Sequence, residues 1–136
     1  MSRSVRVLIV DDEERFRSTM CKLLTIRGFQ AVTCASGPEA LECLRAESYD
    51  VVVLDVKMPE MGGVHVLSEI KKMNSDIEVI IMTGYASVDT AKEILTLGAY
   101  DYMLKPYSID NLVEKIEAAH ERRKARSLLT EKKEDP

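Results

Sequence analysis

Five short runs of apolar, mostly β-branched residues punctuate the chain, at Val5 to Val10, Gln30 to Cys34, Val51 to Leu54, Glu78 to Met82 and Tyr100 to Leu104. Each has strand length and is bounded by polar or glycine-containing segments. The third, in YDVVVLDV, is apolar on both sides, as a central strand covered on both faces should be. Between the runs, apolar positions recur at helical spacing. Phe16, Met20, Leu23 and Leu24 share one stripe before Gly28 supplies a stop. Ser36-Gly37-Pro38 combines a cap with a first-turn proline, and places Ala40, Leu41 and Leu44 on one face. Val64, Leu67, Ile70 and Lys71 mark a third helix, and Val88, Ala91, Ile94 and Leu95 a fourth. Ile109, Leu112, Val113, Ile116 and Ala119 mark the last, with Ser108 or Asp110 near its start.

Strands separated by intervals of this length cannot form hairpins. They must pair in parallel, with helices as right-handed crossovers on both faces. The pattern predicts an α/β fold, a doubly wound five-stranded parallel sheet with five helices. At 136 residues, 46% hydrophobic and 31% charged, the chain suits one soluble domain, placed at residues 1–121. Residues 122–136 read as a charged helix end and tail or a linker stub. Arg122, Arg123, Lys124 and Arg126 are expected to be solvated there, their cations complementing the helix dipole.

The net charge of −4 argues against direct nucleic-acid binding by this domain and points to protein partners. The opening MSRSVRVLIVDD reaches acidic residues too soon for a signal-peptide core or a membrane span, so a cytoplasmic location is expected. Cys21, Cys34 and Cys43 lack CxxC spacing and stand far from His65 and His120, which favours reduced thiols over a zinc site or a disulfide framework.

In an open parallel sheet, functional groups gather outside the carboxyl ends of the strands. Here those ends carry Asp11-Asp12, Asp55, Thr83-Gly84 and Lys105-Pro106. Any single acidic residue there is ordinarily a cap or a loop charge. Three carboxylates on one rim are harder to dismiss, because each pair repels by about 1 kcal/mol at 4 Å in water and about 4 kcal/mol at an effective dielectric near 20. Magnesium is the natural counter-ion, since it prefers hard oxygens and keeps positions for water or phosphate. Lys105 and the Thr83 hydroxyl could then stabilise a transferring phosphoryl group, with a carboxylate as nucleophile.

The ordered set VDDEE, LDVKMPEMGG, MTGYAS and YDYMLKPYS resembles the receiver domains of two-component response regulators over about residues 5–121. The resemblance implies the flavodoxin-like strand order 2-1-3-4-5, for which the family is a known example. It makes Asp55 the phosphoacceptor and Asp12 a direct ligand of Mg2+ or Mn2+. Asp11 becomes a ligand acting largely through water, and the Lys57 backbone carbonyl a further one. Thr83 and Lys105 would bind the incoming phosphoryl oxygens, and Pro106 would follow a cis peptide that aims Lys105. Thr83 and Tyr102 would form the switch, although Tyr102 reads equally well as an amphipathic tyrosine on an edge strand. Lys57 and Tyr85 flank the site at positions that vary in the family. Gly62 stands where the family commonly has an aspartate, removing a cap for the third helix.

The implied partners are a sensor histidine kinase or a histidine phosphotransfer protein. An output domain or a second copy would use the face of helix 4, strand 5 and helix 5. Such a domain is not an enzyme in the ordinary sense, catalysing only its own phosphorylation and dephosphorylation. Two other readings compete. A haloacid-dehalogenase-type phosphohydrolase also uses an aspartate nucleophile, but after the first strand in a DxD pattern that is absent here. A phosphorylation-independent interaction module would have no need of Asp11, Asp12, Asp55, Thr83 and Lys105 together.

Overall fold

The computed structural model describes residues 4–56, 63–84, 87–105 and 108–134. The apolar runs form the strands β1 (Arg6–Val10), β2 (Gln30–Cys34), β3 (Val51–Val56), β4 (Glu78–Thr83) and β5 (Asp101–Leu104). The intervals form the helices α1 (Glu14–Ile26), α2 (Gly37–Ala46), α3 (Gly63–Met73), α4 (Val88–Thr96) and α5 (Ile109–Glu134). The sheet is ordered β2-β1-β3-β4-β5, with every neighbouring pair parallel. The chain therefore winds one way from β1 to β2 and the other way from β3 onward, which opens a crevice at the carboxyl ends of β1 and β3.

Alternation along each strand splits the core in two. Val7, Ile9, Val51, Val53, Ile80 and Met82 point to the layer of α1 and α5, where they meet Met20, Leu24, Leu112, Val113, Ile116 and Ala119. Leu8, Val10, Val52, Leu54, Val79 and Ile81 point to the layer of α2, α3 and α4, where they meet Ala40, Leu67, Ile70 and Ile94. Burying each large side chain of this kind is worth roughly 1.5–3 kcal/mol, so the two layers clamp the sheet from both sides.

The apolar stripes are narrower than the sequence pattern predicts. Leu23, Val88 and Leu95 are exposed, whereas Met20 and Leu24 of α1 and Ala91 and Ile94 of α4 are buried. Leu23 and Leu95 each sit about 100° round the helix from a buried neighbour, and a helix flanking a sheet covers only one stripe. Lys71 keeps its place on the inner side of α3 because its ammonium donates to the carbonyls of Ser75 at 2.8 Å and Ile77 at 2.7 Å. Burial lowers its pKa from the ordinary lysine value. Gly98, at φ +107°, passes this side chain so closely that an added Cβ would lie 3.1 Å from Lys71 Cε.

The termini of the helices follow the local chemistry. Ser36, Ser87 and Ser108 each accept a hydrogen bond from the backbone N–H three residues on, which assigns the start of α5 to Ser108 rather than Asp110. Gly28, at φ +95°, closes α1. α3 begins at Gly63, while Gly62 lies outside the described residues.

In the basic run of α5, Lys124 is exposed as expected, whereas Arg122, Arg123 and Arg126 turn to buried acids. Arg122 and Arg126 pair with Glu78, which is fully buried at the start of β4, with Arg126 Nη2 2.8 Å from Glu78 Oε1. Arg123 pairs at 3.1 Å with Asp50, itself buried before β3 and accepting the Arg6 N–H at 2.9 Å. Burial pushes Glu78 up, but the hydrogen bonds and charges of Arg122 and Arg126 outweigh it and hold the carboxyl below its ordinary value. Among the described residues, no helix is long and apolar enough to cross a membrane.

Candidate functional site

Register explains how the site assembles. Val10 pairs with Leu54, so Asp11 and Asp55, each one residue further, arrive side by side. Val56 pairs with Thr83 and Thr83 with Leu104, which brings Lys105 to the same rim. β3 and β4 run slightly longer than the apolar runs, so Asp55 and Thr83 lie within strands and are held by their ladders.

Asp11 is 2% exposed and is fixed by its own turn, where Oδ1 accepts the Glu13 N–H at 2.9 Å. Its carbonyl accepts from Arg17 Nη1 at 2.9 Å, and its N–H donates to Cys34 O at 3.2 Å. The Asp55 side chain is 5% exposed and its Oδ2 lies 2.6 Å from Lys105 Nζ. Lys105 is held at the backbone by donating to Thr83 O at 2.8 Å, and its ammonium lies 5.2 Å from the centroid of the Phe16 ring. Thr83 is fully buried.

The electrostatics follow from this packing. Burial pushes the Asp11 carboxyl up to about 6; the Glu13 N–H opposes the rise, the neighbouring Asp55 adds to it, and Lys105 opposes it. Burial likewise pushes the Cys34 thiol up to about 12. Cys21, Cys34 and Cys43 are free thiols.

Asp11 Oδ2 and Asp55 Oδ1 are buried with no hydrogen-bond partner among the described residues. Two adjacent carboxylate oxygens left without donors suit a hard divalent cation that takes few protein oxygens and keeps waters or phosphate oxygens for the rest. No set of three His, Cys, Asp or Glu side chains among the described residues closes into a metal cage. Within the acidic pair, Asp11 is buried with one oxygen lacking a hydrogen-bond partner among the described residues, and Asp12 is exposed at the rim.

Of the other predicted residues, Tyr102 is half-buried and packs against the layer of α2, α3 and α4. Lys57, Tyr85 and Pro106 lie outside the described residues. Sequence reasoning passed over Arg17 and treated Phe16 only as a member of an apolar stripe. The nearness of both to the DDEE segment was the available signal. Asp50 and Glu78, at the opposite ends of β3 and β4, were also missed.

The family model for the response regulator receiver domain matches residues 7–117. The chain belongs to that family. Transcriptional regulatory protein ZraR of Escherichia coli strain K12 is 42% identical over 116 residues, a match covering 85% of this chain and 26% of ZraR. This chain therefore spans about a quarter of the length of that curated relative. Among solved structures, a CheY-like receiver domain protein from Methanospirillum hungatei JF-1 superposes with a TM-score of 0.84 at 28% identity, covering 91% of this chain and 99% of that one. The beryllofluoride-activated NtrC4 receiver domain dimer gives a TM-score of 0.80 at 37% identity, covering 87% of this chain and 98% of that one. The protein is a receiver domain of the two-component response-regulator type, and a phosphoacceptor role fits its rim of Asp11, Asp55 and Lys105. Receiver domains generally bind magnesium for phosphorylation, in keeping with the unpaired oxygens of this site. Neither the phosphohydrolase nor the phosphorylation-independent reading is favoured by these matches.

Proposed function

We propose that this receiver works in the cytoplasm and accepts a phosphoryl group on Asp55 from the phosphohistidine of a sensor histidine kinase or a histidine phosphotransfer protein. The observation that carries the reading is the Asp55 carboxylate itself, nearly buried, paired with Lys105 at 2.6 Å and retaining one oxygen without a partner. In the transfer, Asp55 attacks phosphorus in line, a P–O bond forms as the P–N bond breaks, and the imidazole leaves. Lys105 neutralises charge on the transferring oxygens, and the Thr83 hydroxyl donates to one of them. Asp11, Asp12, Asp55 and the Lys57 carbonyl would hold Mg2+ or Mn2+, which when bound supplies further charge neutralisation at those oxygens.

Thr83 and Tyr102 then form the switch. A hydroxyl drawn toward the phosphoryl group vacates space beside β5 that the half-buried Tyr102 ring can occupy, biasing the α4, β5 and α5 face toward an active population. Val88, Leu95 and Leu104 leave exposed apolar surface on that face, which supports its use by an output domain or a second copy.

With magnesium and acetyl phosphate, the protein should gain one acid-stable, base-labile phosphate, read as a mass increase. Asp55→Asn should gain none. Equal labelling of the two proteins would remove Asp55 as the acceptor.

A further inference from the structure

We infer that Phe16 is a positioning residue for the phosphoryl-transfer site, its ring face confining the Lys105 ammonium beside Asp55. The inference rests on the phosphoacceptor reading above. Lysine carries its charge on a flexible stem with roughly 2 kcal/mol of rotamer entropy, so a lysine that must meet incoming oxygens needs confinement beyond one ion pair. The Lys105 backbone is fixed by its hydrogen bond to Thr83 O, but its side chain is 28% exposed and open to water on one flank. On another flank lies the Phe16 ring, with its centroid 5.2 Å from Nζ, inside the roughly 6 Å reach of a cation–π contact.

The ring is itself placed by the segment that carries the acidic pair. Glu13 N–H and the Arg17 guanidinium both bond to Asp11, at 2.9 Å each, and Phe16 stands between Glu13 and Arg17 on the first turn of α1. One turn of chain therefore sets the positions of the Asp11 carboxyl and of the ring beside Lys105. An aliphatic residue would fill the same apolar stripe. It would lack the negative ring face that attracts an ammonium, and a carboxylate there would draw Lys105 off Asp55 and add charge to an already acidic rim. The ring attracts Lys105 without supplying a formal charge or a strong hydrogen-bond acceptor, so the ammonium remains free to transfer to phosphoryl oxygens.

The test compares Phe16→Leu and Phe16→Met, which keep apolar volume, with Phe16→Tyr, which keeps the ring. Labelling with acetyl phosphate and magnesium should slow roughly two- to five-fold in the Leu and Met variants and stay near the parent rate in the Tyr variant. In proton–carbon NMR spectra, the Lys105 ε-methylene protons should be shifted upfield by the ring in the parent and in Phe16→Tyr, and lose that shift in the aliphatic variants. Aliphatic variants that lose the shift yet label at the parent rate would overturn the positioning role, as would a parent spectrum without the shift. A parent protein that takes no label would instead sink the phosphoacceptor reading on which the role depends.

Discussion

Asp11 and Glu78 are buried carboxyls shifted in opposite directions, and each sign has a consequence. The folded Asp11 carboxyl is raised from 3.8 to about 6, so between those values the native state binds more protons than the unfolded one. Its effect on stability is therefore unfavourable as pH rises through that window. Without magnesium at pH 7, Asp11→Asn should be more stable than the parent by something on the order of 1–3 kcal/mol in urea unfolding, and the difference should vanish near pH 4. Glu78 is held below 4.5, so its stabilising contribution is present above that value and is lost as pH falls through the folded pKa. Phe16 and Lys105 illustrate a different residue-scale point. Period alone identifies an apolar position, but not that an aromatic face is used there.

At the scale of elements, α5 is where the sequence pattern was least informative. A charged tract with little apolar periodicity reads as a solvated end, yet the helix is continuous over 26 residues, about 39 Å at 1.5 Å per residue. What the pattern lacks is supplied by charge at helical spacing: Arg122 and Arg126, four residues apart, converge on one carboxylate at the start of the otherwise apolar strand EVIIMT. An isolated acid in such a strand was the legible signal, though it resembles a loop residue until its partners are placed. Replacing Glu78 with Gln should cost about 1–3 kcal/mol, below the range for a fully buried pair because both arginines are partly exposed and can rehydrate. Amide exchange should then quicken around residues 122–129, with α1 and β1 little changed. Uniform acceleration over the whole chain would mean that Glu78 supports global stability rather than anchoring α5. The five strands, in contrast, were readable to within about two residues, because alternation and β-branching are properties of the strand itself.

For the whole molecule, the fold brings a rim of acids and one lysine to a single edge of the sheet. The residues of that rim were legible because they end apolar runs in a fold whose strand ends converge. Their burial was not, since Asp11 and Asp12 are adjacent in sequence and only packing under the α1 turn separates a buried acid from an exposed one. If the unpaired oxygens receive a divalent ion, magnesium should stabilise the native state by about 2.7 kcal/mol at a hundred times its dissociation constant. The unfolding midpoint of the parent should rise accordingly, and those of Asp11→Asn and Asp55→Asn should rise much less. Identical responses in all three proteins would place the ion elsewhere.

The inward pairing of the α5 arginines also governs how the molecule looks to a distant polyanion. A stretch whose composition suggests a strong positive field has much of that field cancelled from within by Asp50 and Glu78. Few condensed counterions would be displaced by such a surface, so any attraction between this stretch and DNA should be weak and nearly insensitive to added salt.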